Sequence, residues 1–547
     1  MNQIRRRYPR LRRWGALILT LWALLLAVPA HAQQINQVFT ESSSERMSAD
    51  GVAADSTGNR YVIGNFRGTV IFGTGINARQ LTTTGQEDTF IAKYDPAGNL
   101  LWVQQDSSSA PMRAKAIAVD DSGQLYVTGE FNHPFDFDGL RMNSFSFTDG
   151  YLMKLNPATG AAEWAARINS AQTTSVNSLA IDRSGSVLIT GRTGGTVTAN
   201  SAGFSTRVTA NASGRMFVAK YDLLGRALWV RGVEGTGTAA NSQISAFRSD
   251  GVCVVGGLLG SVTFRSPFKT MTLRSLGSVD IFVAQYNRNG DLVNAQRAGS
   301  TGSDQAFDVA TQGFDCYVTG VFERRADFSG QLLDSRGGRD LFLARYDNLG
   351  NLRGLARAGS VENDERLPTI AVDANRTIYL SAEFAGRTMI FGEGSAAITL
   401  ANRNDLAASF DSFLARYNAA LAPVTAQFVT HPERGETMVA TATDGNGFLH
   451  AVGGLGLPTT FGTGDGAISV TPEEGGLNLF VARYAPSATA QAATLTANRD
   501  STPATAESEP ALIAEMMALE DAKAMEPAAE EEAVPSGAYQ FFLPLIR

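Results

Sequence analysis

Two sets of aspartates recur along this 547-residue chain, and carboxylates repeated in register could ring a hard cation such as Ca²⁺. Asp55, Asp120, Asp182, Asp373 and Asp444 open short turns, whereas Asp88, Asp149, Asp280, Asp340 and Asp411 lead into apolar runs. One carboxylate per repeat leaves its neighbours too far apart to share an ion. An Asp at a turn also accepts hydrogen bonds from amides a few residues on, which gives each of them a structural reason to be there. Structural Ca²⁺ is therefore not favoured, and neither a metal site nor a cofactor is expected. Asp136-Phe137-Asp138-Gly139 and Asp444-Gly445-Asn446-Gly447 resemble pieces of a calcium loop without its closing Glu, and read as turns. His133, His431 and His450 show no zinc-ligand spacing. A Gly-x-Ser-x-Gly elbow in a strand-to-helix setting and a phosphate loop are both missing, so the chain offers no catalytic residue.

The ends differ from the body. Arg5, Arg6, Arg7, Arg10, Arg12 and Arg13 precede an apolar stretch from Trp14 to Pro29, and Ala30-His31-Ala32 supplies a small-x-small cleavage site. Residues 1–32 therefore read as a signal peptide, with no membrane span left after cleavage near Ala32. Losing those six arginines takes the formal charge from −7 to −13, and ten acids lie from Arg499 onward against three basic residues. The remaining body is only mildly acidic and has no basic stripe, so nucleic acid is not an expected partner. Residues 487–536 are rich in Ala, Thr, Glu and Pro and read as a flexible linker, with a short helix at 511–524. The apolar segment 537–547 is too short to span a bilayer and suggests attachment at an envelope.

The body must position whatever chemistry there is, and it is built from seven copies of one phrase. Phe90–Tyr94 reads Phe-Ile-Ala-Lys-Tyr, and related phrases end at Leu155, Tyr221, Tyr286, Tyr346, Tyr417 and Tyr484, a period of 60 to 71 residues. Around the second copy, Ala116–Val119, Gln124–Phe131, Tyr151–Asn156 and the residues near Trp164 read as four antiparallel strands. Four strands per repeat predict an all-β, seven-bladed β-propeller of four-stranded antiparallel blades over residues 33–486. The seventh repeat lacks a fourth strand, and Ile35–Thr40 followed by Glu41-Ser42-Ser43-Ser44 parallels Leu101–Gln105 followed by Asp106-Ser107-Ser108-Ser109. The N-terminal strand is thus expected to close the last blade, giving a monomer. In the third strand, rings flanking a small residue fit packing between blades. The interleaved Lys93, Lys154, Lys220, Arg345, Arg416 and Arg483 are expected to snorkel to solvent. Trp102, Trp164 and Trp229 share one repeat position and read as packing rather than as a sugar platform. Cys253 and Cys316 both align with Leu125, which predicts two separate buried thiols and no disulfide.

Gly277–Tyr286 (Gly-Ser-Val-Asp-Ile-Phe-Val-Ala-Gln-Tyr) and Ala118-Val119-Asp120 with Gly123 and Tyr126–Gly129 resemble the bacterial seven-bladed β-propeller (SBBP-type) repeat over roughly residues 35–486. The resemblance implies an exported or surface-associated bacterial protein, in a group without a general catalytic motif. Arg248 in place of the turn Asp, the shorter turn at Gln312-Gly313, and Arg215 in place of the third-strand Asp depart from it. Quinone-dependent dehydrogenases are propellers too, but this chain lacks their blade count and their adjacent cysteine pair.

Rigid scaffolds place binding residues on their longer loops. On the face shared by the second-to-third and fourth-to-first connections stand Glu45, Arg46, Arg113, Asp304, Glu365, Arg366, Arg434 and Glu436, the candidate ligand-binding set. The function expected is non-catalytic binding of a protein, peptide or glycan by a secreted, cell-surface or periplasmic protein. A propeller enzyme acting on glycans, a hydrolase or lyase with acids on that face, is the alternative.

Overall fold

The computed structural model describes residues 34–486 apart from 107–111, 121, 204, 214, 249–250, 362–364, 385–386, 402–410, 430–436, 457, 463–466 and 473–477. The signal segment, the linker and the C-terminal apolar segment lie outside the described residues. The chain divides into two compact units, Met1–Thr496 and Ala497–Arg547, and all that follows concerns the first. The described residues are all-β and antiparallel, relieved only by single 3-10 turns at Gly75–Asn77 and Gly394–Ala396. No helix among them is long and apolar enough to cross a membrane.

One pairing order recurs. In group one, Arg46–Ala54, Arg60–Arg67, Asp88–Tyr94 and Leu100–Gln105 pair in succession. Further groups follow within 112–169, 174–232, 238–299, 305–359 and 365–428. In group seven Thr437–Thr443, Leu449–Leu455 and Asn478–Tyr484 are joined by Ile35–Ser43, which lies antiparallel on Asn478–Tyr484 with Val38 opposite Ala482. The expected N-terminal pairing is therefore present.

The turns work as their residues dictate. The Asp120 carboxylate accepts from the amides of Ser122 and Gln124 at 3.0 and 2.8 Å. Gly123 takes φ +82°, a conformation that a β-carbon disfavours. Each first strand also carries a bulge at one place, between Ala49 and Gly51 in group one and between Met438 and Ala440 in group seven. First strands of successive groups touch one another in order, and Thr437–Thr443 touches Arg46–Ala54. Small residues such as Ala53 and Ala371, both buried, make that close approach possible.

Two features differ from the sequence reading. The long second-to-third connections fold as hairpins rather than loops, and several add to the outer strand of the preceding group: Val197–Asn200 pairs with Ala162–Asn169, and Thr388–Phe391 with Leu352–Gly359. The interleaved basic residues are not solvent-seeking where their bonds are seen. Lys93 Nζ donates to the Pro157 carbonyl at 2.8 Å, Arg345 to Ala419 at 2.7 Å, and Arg483 to Pro96 at 3.2 Å. Each ties its group to the third-to-fourth turn of the next. The indoles of Trp102, Trp164 and Trp229 reach the same turns, donating to Pro157, Leu223 and Arg288. A desolvated cation needs an acceptor, and an unpaired turn carbonyl one group along supplies it.

The expectation of two separate thiols is corrected. Gly256 pairs with Phe282 as Gly129 pairs with Tyr151 and Gly320 with Phe342. Counted from these glycines, Cys253 shares its position with Tyr126 and Tyr317, whereas Cys316 shares its own with Leu125 and Val252. A one-residue difference in register turns a side chain to the opposite face. One sulfur therefore faces forward and the other back, and they meet in a disulfide between groups four and five, with α-carbons 6.4 Å apart. The same slip moves the turn position of group four from Arg248 to Phe247, whose amide donates to Gly251 as that of Asp120 does to Gln124.

Candidate functional site: a charged cleft beside group two

The two aspartate sets are occupied with the backbone. Asp55 Oδ1 takes the amides of Thr57 and Asn59 at 3.0 Å each, and Asp373 Oδ1 those of Asn375 and Thr377. Ahead of the third strands, Asp88 accepts from the Thr84 amide, Asp280 from Leu276 and Asp340 from Arg336, all at 2.8 Å. His450 is buried against Asp444, Nε2 to Oδ2 3.0 Å, and burial presses its pKa below the ordinary value. His133 is exposed beside Asn132, and His431 lies outside the described residues.

The described candidate binding residues differ in burial and in the elements that carry them. Glu45 is exposed near Gly68, and Arg46 is half-buried at the start of its strand. Asp304 is fully buried: its carboxylate takes the Ser300 amide and hydroxyl and the Glu323 amide, and burial pushes its pKa up to about 6. Glu365 and Arg366 lie in the first strand of group six, opposite Phe384 and Glu383. Arg434 and Glu436 lie outside the described residues.

Arg113 is different, because it lines a cleft of about 250 Å³ with Glu130, Phe131, Asn132 and Thr148. It stands directly across the first hairpin from Glu130 and ion-pairs with Glu87 at 3.2 Å. Arg67 approaches the same Glu87 at 4.0 Å, and Lys115 pairs with Glu130 at 3.5 Å. Beneath the cleft, Phe131, Phe135 and Tyr151 pack edge to face and at a tilt. On the chain leading to Thr148, Phe145 and Phe147 are 64% and 84% exposed. Sequence reasoning found Arg113 but missed Glu130 and Glu87. Counting back through the turn at Asp120 and allowing the bulge would have set Glu130 opposite Arg113. Glu87 comes from group one, and no local signal points to it.

Residues 163–197 match the SBBP β-propeller repeat. This chain carries an SBBP-type propeller repeat. The SBBP match runs from the outer strand of group two through the first two strands of group three and into the following hairpin. An uncharacterised WD repeat-containing protein, L264, of Acanthamoeba polyphaga mimivirus is 30% identical over 35% of this chain and 16% of its own length. The chain thus spans about a sixth of that curated relative. Among solved structures, the quinohemoprotein alcohol dehydrogenase ADHIIG of Pseudomonas putida HK5 is 10% identical with a TM-score of 0.33, covering 90% of this chain and 81% of the other. The lignostilbene dioxygenase of Pseudomonas brassicacearum is 9% identical with a TM-score of 0.35, covering 80% and 90%.

Proposed function

We propose that the chain is an exported, closed seven-bladed propeller that binds a protein, peptide or glycan ligand at the cleft beside group two without transforming it. Closure is supported by the contact between the first strands of groups seven and one, and by Ile35–Ser43 completing group seven. Export is supported by the disulfide, since such bonds persist in oxidising compartments, together with the signal-like residues 1–32. Envelope attachment through 537–547 and a monomeric ring belong to the same reading.

The cleft carries the binding role. Its residues sit on paired strands and their ends, which fix a concave, mixed-charge site beside exposed aromatic rings. Glu87 and Glu130 are each ion-paired to cations, an arrangement suited to recognition rather than to the acid and base that a glycan hydrolase or lyase requires. The test is a peptide and glycan array probed with the full chain and with Asn132→Trp, which fills the cleft. Ligands retained by the wild type should be lost from the variant. Undiminished retention would place the site elsewhere, and turnover of a bound glycan would displace the non-catalytic reading.

A further inference from the structure

One buried guanidinium breaks the apolar pattern of the repeat. Near the start of each second strand, one residue stands opposite the Tyr or Leu that ends the third-strand phrase. Groups two to seven place Leu125, Val187, Val252, Cys316, Ile378 and Leu449 there, whereas group one places Arg60. Arg60 is fully buried where Ile35–Ser43 brings group seven against group one. Its Nη2 makes all of its hydrogen bonds, to the Gln37 side-chain oxygen at 2.8 Å and to the carbonyls of Asp95 and Pro96 at 2.8 and 3.3 Å. Nε and Nη1 are buried with no acceptor, and no other guanidinium among the described residues leaves two nitrogens in that state. Arg483 of group seven donates to the same Pro96 carbonyl at 3.2 Å, and its Nε is also buried without an acceptor. Two like charges thus meet on one neutral oxygen.

The acids around them are occupied elsewhere. Asp95 takes the amide and side chain of Asn99, and Asp444 takes His450 and the amides of Asn446 and Phe448. Glu41 on the closing strand keeps its proton to about pH 8, because it is buried. Neither Arg60 nor Arg483 has an ion-pair partner among the described residues. A buried cation whose donors lack acceptors is costly, and a guanidinium has no acceptor of its own to offer a neighbour. We propose that the interface between groups seven and one holds a monovalent halide such as chloride, accepting from Arg60 and Arg483. A water molecule accepts at most two hydrogen bonds and carries no charge to offset two cations, whereas a halide accepts from every side and does both. Desolvation costs rise with charge, which favours a halide over sulfate or phosphate at a fully buried guanidinium. The site does not depend on the binding role proposed above.

The test compares thermal melting of the full chain in sodium chloride and in sodium gluconate, each at about 0.3 M so that screening is equal. Arg60→Leu installs the residue that group two carries at this place and removes the unpartnered donors. An anion held only by the folded state stabilises it. Exchanging gluconate for chloride should therefore raise the melting temperature of wild type by about 2 °C or more beyond any rise in Arg60→Leu. An equal response of the two chains overturns the proposal, because the salt then acts without the site. Diffraction from wild-type crystals grown in sodium bromide gives a second reading that needs no variant to fold. An anomalous peak in contact with the Arg60 guanidinium supports the site, and ordered water in its place overturns it.

Discussion

Glu41 shows how far one side chain can depart from its usual chemistry when a strand carries it into a seam. It lies on Ile35–Ser43, buried, with Oε2 accepting the Gly73 amide at 2.9 Å and the phenol of Tyr94 beside it. Burial dominates and pushes its pKa from 4.5 up to about 8. Folded, the carboxyl keeps its proton to about pH 8, whereas the unfolded chain releases it above about pH 4.5. The unfolded state is therefore favoured progressively between those values, and the cost levels off beyond pH 8. Glu41→Gln keeps an acceptor for Gly73 and cannot ionise. Its stability relative to wild type should be nearly unchanged near pH 4 and should rise to a gain on the order of 5 kcal/mol above pH 8. Denaturant titrations of both chains across pH measure this, and a difference independent of pH would refute it. Asp55 behaves oppositely: hydrogen bonds from its own turn hold its carboxyl below the usual range in spite of burial.

At the scale of elements, what the sequence reveals depends on whether a signal is local. The Phe-x-Ala-Lys-Tyr phrase is legible because period-two alternation and inter-sheet packing constrain consecutive residues, and all seven phrases sit on third strands. The N-terminal pairing is legible for the same reason, since Ile35–Thr40 must present the faces that a fourth strand presents. Group four is where reading fails: two adjacent glycines, Gly256 and Gly257, permit two registers, and only pairing with Phe282 selects one. The added hairpins vary too much in length to reveal themselves by period. Of the cleft, Arg113 is legible directly and Glu130 through the hairpin register, whereas Glu87 reaches Arg113 from group one. The closing strand also makes a direct prediction. Val38 is 3% exposed and packs with Phe480 and Leu449, so Val38→Asp should cost about 3–5 kcal/mol by burying an unpaired charge. Limited proteolysis should then cut first near the N-terminus. A variant as stable and as resistant as wild type would mean that the strand does not hold group seven closed.

For the whole molecule, the seam and the disulfide are two separate locks. Between groups seven and one the backbone crosses once, at Ser44-Glu45, and the other contacts are non-covalent: Arg60 donates to Gln37 at 2.8 Å, its guanidinium lies over Phe39, and Arg483 lies over Phe448 while donating to Pro96. Burial lowers the pKa of Arg60 to about 10. Counted around the cycle of first-strand contacts, the Cys253–Cys316 bond between groups four and five lies as far from that seam as any interface does. It therefore does not brace the pairing of Ile35–Ser43 with Asn478–Tyr484. Its contribution comes from the unfolded chain, where it closes a loop between residues 63 apart, worth roughly 4 kcal/mol on a chain-entropy account. Replacing both cysteines by serine should lower stability by about that amount, and a reductant should do the same to wild type without affecting the variant. Because the two locks share no contact, the cost of the serine pair and that of Val38→Asp should add to within about 0.5 kcal/mol. A large coupling between them would show that strain at the seam reaches groups four and five, and that the seven groups respond as one elastic body.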